Sequence, residues 1–339
     1  ERIKSGVCQA VIVNSGNANC CTGDQGMQHA RSMADHAAEE LGISQDLVLV
    51  ASTGVIGQPL PIDSIRNAIP DLVHACDSGK IDDFARAIMT TDTVPKVVSR
   101  NGKIKGKPYT ITGVAKGAGM IRPDMATMLC FVCSDAGAAP DVLKEMLVEA
   151  TDQSFNRITI DGDTSTNDTV LLLANGLSGA SIDGIEDQQS FQAVLNDLLL
   201  ELAKMMVRDG EGATKCVEIL VRGASSDSDA RTVADTVAHS TLVKTALFGE
   251  DANWGRIIAA AGRAGVPMDP DQIDIFFGDV QMVNKGLGCG KAIEAEATRV
   301  LKTPEFTLLM DLNMGSGTSS VFTCDLSIDY VKINADYRT

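Results

Sequence analysis

Apolar runs of strand length alternate with longer amphipathic stretches along the whole chain, and that alternation confines it to mixed α/β folds. Residues 9–13, 47–51, 109–114, 128–134, Thr169–Ala174 and 216–221 read as strands. Helical spacing marks 28–41, closed by Gly42, and 81–90. Pro140 and Asp141 open another helix running to about residue 151. The longest pattern, 188–207, sets Phe191, Val194, Leu195, Leu198 and Leu199 on one face and ends at the turn Asp209-Gly210. After Lys215 the texture shifts to a strand, helices over 230–247 and 252–264, and a strand over 273–277. Final strands are expected near 306–312 and 321–333. A chain of 339 residues has room for two domains. The reading is a main domain over 1–215, a smaller α/β domain over 216–304, and C-terminal strands over 305–339.

Composition removes several function classes. A formal charge of −16 disfavours nucleic acid and anionic membrane surfaces, because phosphate binding needs Lys and Arg to displace counterions. No apolar run approaches the ~18 residues of a spanning helix. The first residues lack a signal-type apolar core and an initiator methionine, and read as a trimmed N-terminus. Nine cysteines in a chain this long read as buried, reduced thiols of a cytoplasmic protein. Cys130 and Cys133 form one C-x-x-C with no second pair, and the four histidines are scattered, so no metal site is expected. The segment 286–290 is glycine-rich but lacks the βαβ context of a dinucleotide site.

Familiar catalytic signatures are missing from the sequence: no GxSxG, no HExxH, no phosphate loop. His29, His36, His74 and His239 sit in or beside helical patterns and give a histidine triad little support. What stands out is a set of Gly-, Thr- and Asn-rich clusters. Residues 14–19 (NSGNAN) and 51–57 (ASTGVIG) each follow a strand, 90–93 (TTDT) ends a helix, and 116–129 leads into an apolar strand. Composition alone makes them turns. The last has its own chemistry, however. A threonine hydroxyl near neutral pH needs a base, and with no histidine at hand the simplest one is its own α-amine, with a pKa of ~7.7–8.0. That requires cleavage ahead of Thr127. Ala126 is small enough to let the hydroxyl reach the preceding carbonyl, and Gly117 and Gly119 permit strained backbone.

The blocks 14–19, 51–57, 90–92, 116–129, 209–215 and 249–256 resemble, in order and over nearly the whole chain, those of the ornithine acetyltransferase (glutamate N-acetyltransferase, or ArgJ) family. The K-G-x-G-M…M-A-T-M-L block is the most specific. The resemblance implies a four-layer αββα sandwich with a second, smaller α/β domain. It implies self-cleavage between Ala126 and Thr127, giving chains 1–126 and 127–339. It implies transfer of acetyl from N-acetylornithine to glutamate through acetyl-Thr127, with acetyl-CoA as a further donor in some members. Thr127 matches the nucleophile and, through its freed amine, the base, while Thr53 and Gly54 match the oxyanion pair. Thr90, Lys116, Thr127, Glu211, Asn334 and Thr339 match substrate contacts. Lys116 suits a carboxylate, and Glu211 an ammonium or the newly formed amine. The resemblance further implies a cytoplasmic α2β2 enzyme of arginine biosynthesis that needs no cofactor.

Two departures are visible. Asp124 stands where the family often has Asn, and the family's first strands precede Glu1. The nearest rival reading is a self-processing N-terminal-nucleophile aminopeptidase, which would pass the acyl group to water. An inactive scaffold assembled by cleavage and a nucleotide-binding protein are the other classes weighed.

Overall fold

The computed structural model describes residues 2–76, 79–122 and 128–336. Ala126, Thr127 and Thr339 therefore lie outside the described residues. Thirteen strands are formed among the rest. They are β1 (Ala10–Asn14), β2 (Val48–Ser52), β3 (Lys96–Ile104), β4 (Lys107–Lys116), β5 (Leu129–Ser134), β6 (Ile158–Thr159) and β7 (Thr169–Ala174), followed by β8 (Cys216–Ala224), β9 (Asp274–Phe277), β10 (Val280–Asn284), β11 (Leu287–Gly288), β12 (Glu305–Asp311) and β13 (Gly317–Cys324). The fold is mixed α/β, as the alternation requires.

Contacts divide the described residues into two units. One takes those of 1–117, 123–156 and 164–206, the other 118–122, 157–163 and 207–339. In the first, β1 and β2 pair in parallel, and a four-stranded sheet runs in the order β3-β4-β5-β7. The register of that sheet positions the chemistry. Lys96 of β3 pairs with Ala115, Lys116 of β4 with Leu129, and Leu129 of β5 with Thr169. One end of the sheet therefore gathers the start of β3, the end of β4 and the starts of β5 and β7. The strands form because their inward residues are apolar and fully covered: Ile111, Val114, Leu129 and Val132 are all buried. The helix Ile185–Arg208 lays Phe191, Leu198 and Leu202 on this sheet, and at Gly113 the approach is so close that a Cβ would stand 2.7 Å from two leucine methyls.

The second unit is built on a seven-stranded sheet in the order β11-β10-β9-β12-β8-β13-β6. Helices Asp227–Ala238, Trp254–Ala261 and Lys291–Leu301 contribute Val233, Ile257 and Leu301 to its apolar core. No helix among the described residues is long and apolar enough to cross a membrane.

Several expectations need correction. The single helix expected over 230–247 is two, Asp227–Ala238 and Thr241–Phe248, because Ser240 accepts from Val243 N–H and starts a new helix. The strand expected over 321–333 stops at Cys324, and Ser327 caps a helix over Ile328–Ala335. The helix expected over 81–90 closes at Ala87. Lys116 belongs to a strand and not to the loop that follows it. Only Cys130, Cys216 and Cys324 are buried, while Cys21, Cys76, Cys133 and Cys289 are exposed. Cys130 and Cys133, three apart on β5, fall on opposite faces because strand side chains alternate.

Candidate active site

The first two motif loops are zipped together by continuing the β1–β2 pairing. Thr53 N–H donates to Asn14 O at 3.1 Å, Val55 N–H to Gly16 O at 3.1 Å, and Ala18 N–H to Val55 O at 3.0 Å. Gly54 lies between them with φ +128°, and a Cβ there would stand 2.2 Å from the Gly16 carbonyl carbon. No other residue fits so close an approach. The pairing holds Thr53 buried at the end of β2.

Lys116 joins this to the 90–92 block. Its Nζ donates to Thr53 Oγ1 at 3.2 Å and to Thr90 Oγ1 at 2.8 Å, and lies 3.9 Å from Asp92 Oδ2. Each hydroxyl that accepts from the ammonium keeps its own proton to donate elsewhere. Asp92 is the hub beneath. Its Oδ1 accepts from Lys96 Nζ at 2.7 Å and from Gly117 N–H at 2.6 Å, and its Oδ2 accepts from Thr90 N–H at 3.2 Å. The Asp92 and Lys96 side chains are fully buried. Burial pushes the Asp92 carboxyl up, but the Lys96 and Lys116 charges and the Lys96 and Gly117 hydrogen bonds outweigh it and hold it below its ordinary value. Asp92 stood inside a motif block without a role, and Lys96 was not singled out at all. Its one signal in the sequence is a charged residue opening the strand VVS.

In the second unit, Glu211 is buried and its N–H donates to Ala118 O at 2.8 Å. Asn334, on the helix Ile328–Ala335, donates from Nδ2 to Glu211 Oε2 at 2.7 Å. Gly119 is required here too, because a Cβ would stand 2.4 Å from the Glu211 carboxyl. Two further residues were missed. Asp161 accepts from Met120 N–H at 2.5 Å and Ile121 N–H at 2.9 Å, which fixes the KGAGM segment beyond Gly117, and Tyr330 OH donates to Asp161 at 3.3 Å. Burial and the Asp161 and Glu211 charges raise the Tyr330 pKa, keeping the phenol a neutral donor. Nothing local in the sequence links residues 169 positions apart.

Other residues of the last two blocks make structural contacts. Lys215 Nζ pairs with Glu250 at 3.2 Å, and Asn253 caps the helix Trp254–Ala261. A groove of about 970 Å³ beside Arg2, Leu49, Thr169 and Leu171 gathers none of the motif residues. Among the described residues no three metal-ligating side chains come together.

Fold and site thus define a mixed α/β protein whose polar centre is a buried lysine on paired threonine hydroxyls. The family profile that matches is that of the ArgJ family, over residues 1–339. The arginine biosynthesis bifunctional protein ArgJ of Geobacter sulfurreducens is 55% identical over 341 residues, spanning 100% of this chain and 87% of that protein. Its counterpart in Syntrophotalea carbinolica is also 55% identical, spanning 100% and 86%. A crystal structure of arginine biosynthesis bifunctional protein ArgJ from Bacillus halodurans, 42% identical, aligns with a TM-score of 0.57 over 59% of this chain and 95% of that one. The chain belongs to the ArgJ family.

Proposed function

We propose that the protein is a glutamate N-acetyltransferase of arginine biosynthesis, moving acetyl from N2-acetylornithine to glutamate and also accepting acetyl-CoA. Similarity along the whole of this chain to proteins named arginine biosynthesis bifunctional protein ArgJ supports this over the aminopeptidase alternative. The observation that carries it is the Lys116 cluster, where residues from three motif blocks meet at one ammonium. That cluster leaves the Thr53 hydroxyl proton free for an oxyanion, an arrangement suited to acyl transfer.

In this reading the chain cuts itself between Ala126 and Thr127. The Thr127 hydroxyl attacks the acetyl carbonyl, and its freed α-amine takes the hydroxyl proton. Thr53 Oγ1 and Gly54 N–H hold the oxyanion, and the protonated Thr127 amine gives its proton to the ornithine nitrogen as the C–N bond breaks. The glutamate amine then takes the acetyl group, while its lost proton returns through the Thr127 amine to the Thr127 oxygen. Lys116 and Thr90 serve substrate binding, with the ammonium holding a carboxylate. Glu211, kept in place by Asn334, serves the amine end, and Thr339 is assigned as a contact through the resemblance. The same reading makes the enzyme cytoplasmic and α2β2, for which a native mass of two chains is the check.

The test uses N-acetylornithine carrying a labelled acetyl group. Label on the 127–339 fragment, located at Thr127, together with a single uncut band from Thr127→Ala, is the expected result. Two bands from that variant, or transfer with no trapped acetyl-enzyme, would overturn the reading.

A further inference from the structure

A polar cavity of about 540 Å³ lies in the second unit, lined by Arg122, Arg231 and Arg263 together with His239, Asp161 and Asp235. In a chain whose 45 carboxylates outnumber its 29 Lys and Arg, a wall with more guanidinium than carboxylate groups runs against the composition. Each arginine comes from a different element. Arg231 is on the helix Asp227–Ala238, one turn before Asp235 and two before His239, so the three share a face. Arg263 follows the helix Trp254–Ala261, and Arg122 follows the Met120 and Ile121 N–H groups that Asp161 holds. Both carboxylates are engaged already. Asp161 accepts from those two N–H groups and from the Tyr330 hydroxyl, and Asp235 stands 3.7 Å from Arg231 Nε.

The imidazole faces this wall with one nitrogen unused. Its Nδ1 lies 2.6 Å from Asp235 O, which can only accept, so Nδ1 carries the ring proton. Nε2 is buried with no hydrogen-bond partner among the described residues, and such exceptions call for a reason. Gly162, at φ +83°, allows the turn after Asp161 to close on the ring, where a Cβ would stand 3.1 Å from His239 Cδ2. Burial holds the His239 pKa below its ordinary value; the Asp235 carbonyl and charge oppose this, and the Arg122 and Lys244 charges add to it. The ring is therefore neutral at pH 7.

We propose that this cavity binds the phosphate group of a phosphorylated small molecule, with the Arg122, Arg231 and Arg263 guanidinium groups around its oxygens and His239 Nε2 as a further donor. A carboxylate is planar, and one guanidinium fork satisfies it. A tetrahedral phosphate presents oxygens in several directions and takes donors from several elements at once. The volume leaves room for the rest of the ligand. An anion there also draws a proton onto Nε2, so binding takes up a proton and tightens as pH falls. The site stands apart from the Lys116 cluster, and the inference does not depend on the acetyltransferase reading.

The test titrates sulfate, a tetrahedral dianion throughout the neutral range, into the intact protein by calorimetry at about pH 8 and about pH 6. Sulfate should bind once per chain, roughly 3- to 10-fold more tightly at the lower pH. Arg263→Gln alters an exposed side chain and should weaken binding roughly tenfold or more, as loss of a charge-assisted hydrogen bond does. His239→Gln should flatten the pH dependence. Inorganic phosphate should compete with sulfate in every case. Competition by coenzyme A as well would identify the ligand as the acetyl-CoA donor, and competition by adenosine monophosphate without coenzyme A would identify a separate phosphorylated effector. No saturable sulfate binding, no competition by phosphate, or an affinity untouched by Arg263→Gln would overturn the proposal. So would a pH dependence that survives His239→Gln. None of these readouts requires acetyl transfer, so their failure is separate from failure of the proposed activity.

Discussion

Gly54 shows how tightly single residues are bound to this site. Gly54→Ala must adopt φ +128° and place its methyl inside the Gly16 carbonyl, so the two motif loops have to part. A loss of about 2–4 kcal/mol in urea unfolding is expected, with acetyl transfer abolished; an unchanged midpoint would show that the loops separate freely. Two aspartates, Asp92 buried and Asp168 half-buried, then give opposite pH signatures. Asp92 is held below its unfolded value of 3.8, so its stabilisation is present above that value and is lost as pH falls through the lowered one. Lys96→Met strands that carboxylate and should cost about 3–5 kcal/mol at neutral pH. Asp168 is the reverse. Raised from 3.8 to about 7, it binds its proton more tightly in the folded state, so stability falls as pH rises between those values. Asp168→Asn should remove that slope and leave the protein more stable than wild type at pH 8. A variant less stable at every pH would show that the carboxyl's hold on the Met128 N–H outweighs its burial cost.

At the scale of elements, what could be read depended on whether the signal was local. Residues Thr169–Ala174 and the helix Ile185–Arg208 were legible because their apolar patterns are long and bounded by turns. Strand Lys96–Ile104 was not, since KVVSRNGKI mixes charges into a hairpin whose outer face is exposed. The break at Ser240 and the helix at Ser327 were missed because a serine inside an apolar pattern looks the same whether it caps a helix or rides on one. Of the candidate residues, Thr53, Gly54, Thr90 and Lys116 in the first unit and Glu211 and Asn334 in the second could be named from motif resemblance. Lys96, Asp161, Asp168 and Tyr330 could not, since a buried ionic or hydrogen-bonded partner looks like any loop charge until the fold supplies its environment. The Ser327 cap also bears on the candidate site. Ser327 accepts from Tyr330 N–H at 3.2 Å and starts the helix that brings Asn334 to Glu211. Ser327→Ala should cost about 1 kcal/mol and raise substrate KM a few-fold with kcat nearly kept. A fall in kcat alone would show that the helix does more than hold Asn334.

The molecule as a whole is strongly acidic, with 45 Asp and Glu against 29 Lys and Arg, yet the proposed acceptor is itself an anion. A net charge of −16 sets up a field that lowers the local concentration of any anion and leaves a neutral zwitterion unaffected to first order. Glutamate carries a net charge of −1 near neutral pH, whereas N2-acetylornithine balances its carboxylate with its side-chain ammonium. Lys116 attracts a carboxylate only at short range, and its charge is already shared with Asp92 3.9 Å away. The long-range repulsion is screened as the Debye length shrinks to about 10 Å at 0.1 M salt, while the buried short-range contacts are screened far less. Raising ionic strength from about 0.02 to 0.2 M should therefore increase kcat/KM for glutamate roughly two- to fivefold and leave that for N-acetylornithine nearly constant. Steady-state kinetics with each substrate varied against a saturating partner would measure both. A glutamate kcat/KM that falls with salt would show that a local positive field at the site, and not the charge of the whole molecule, governs entry of the acceptor.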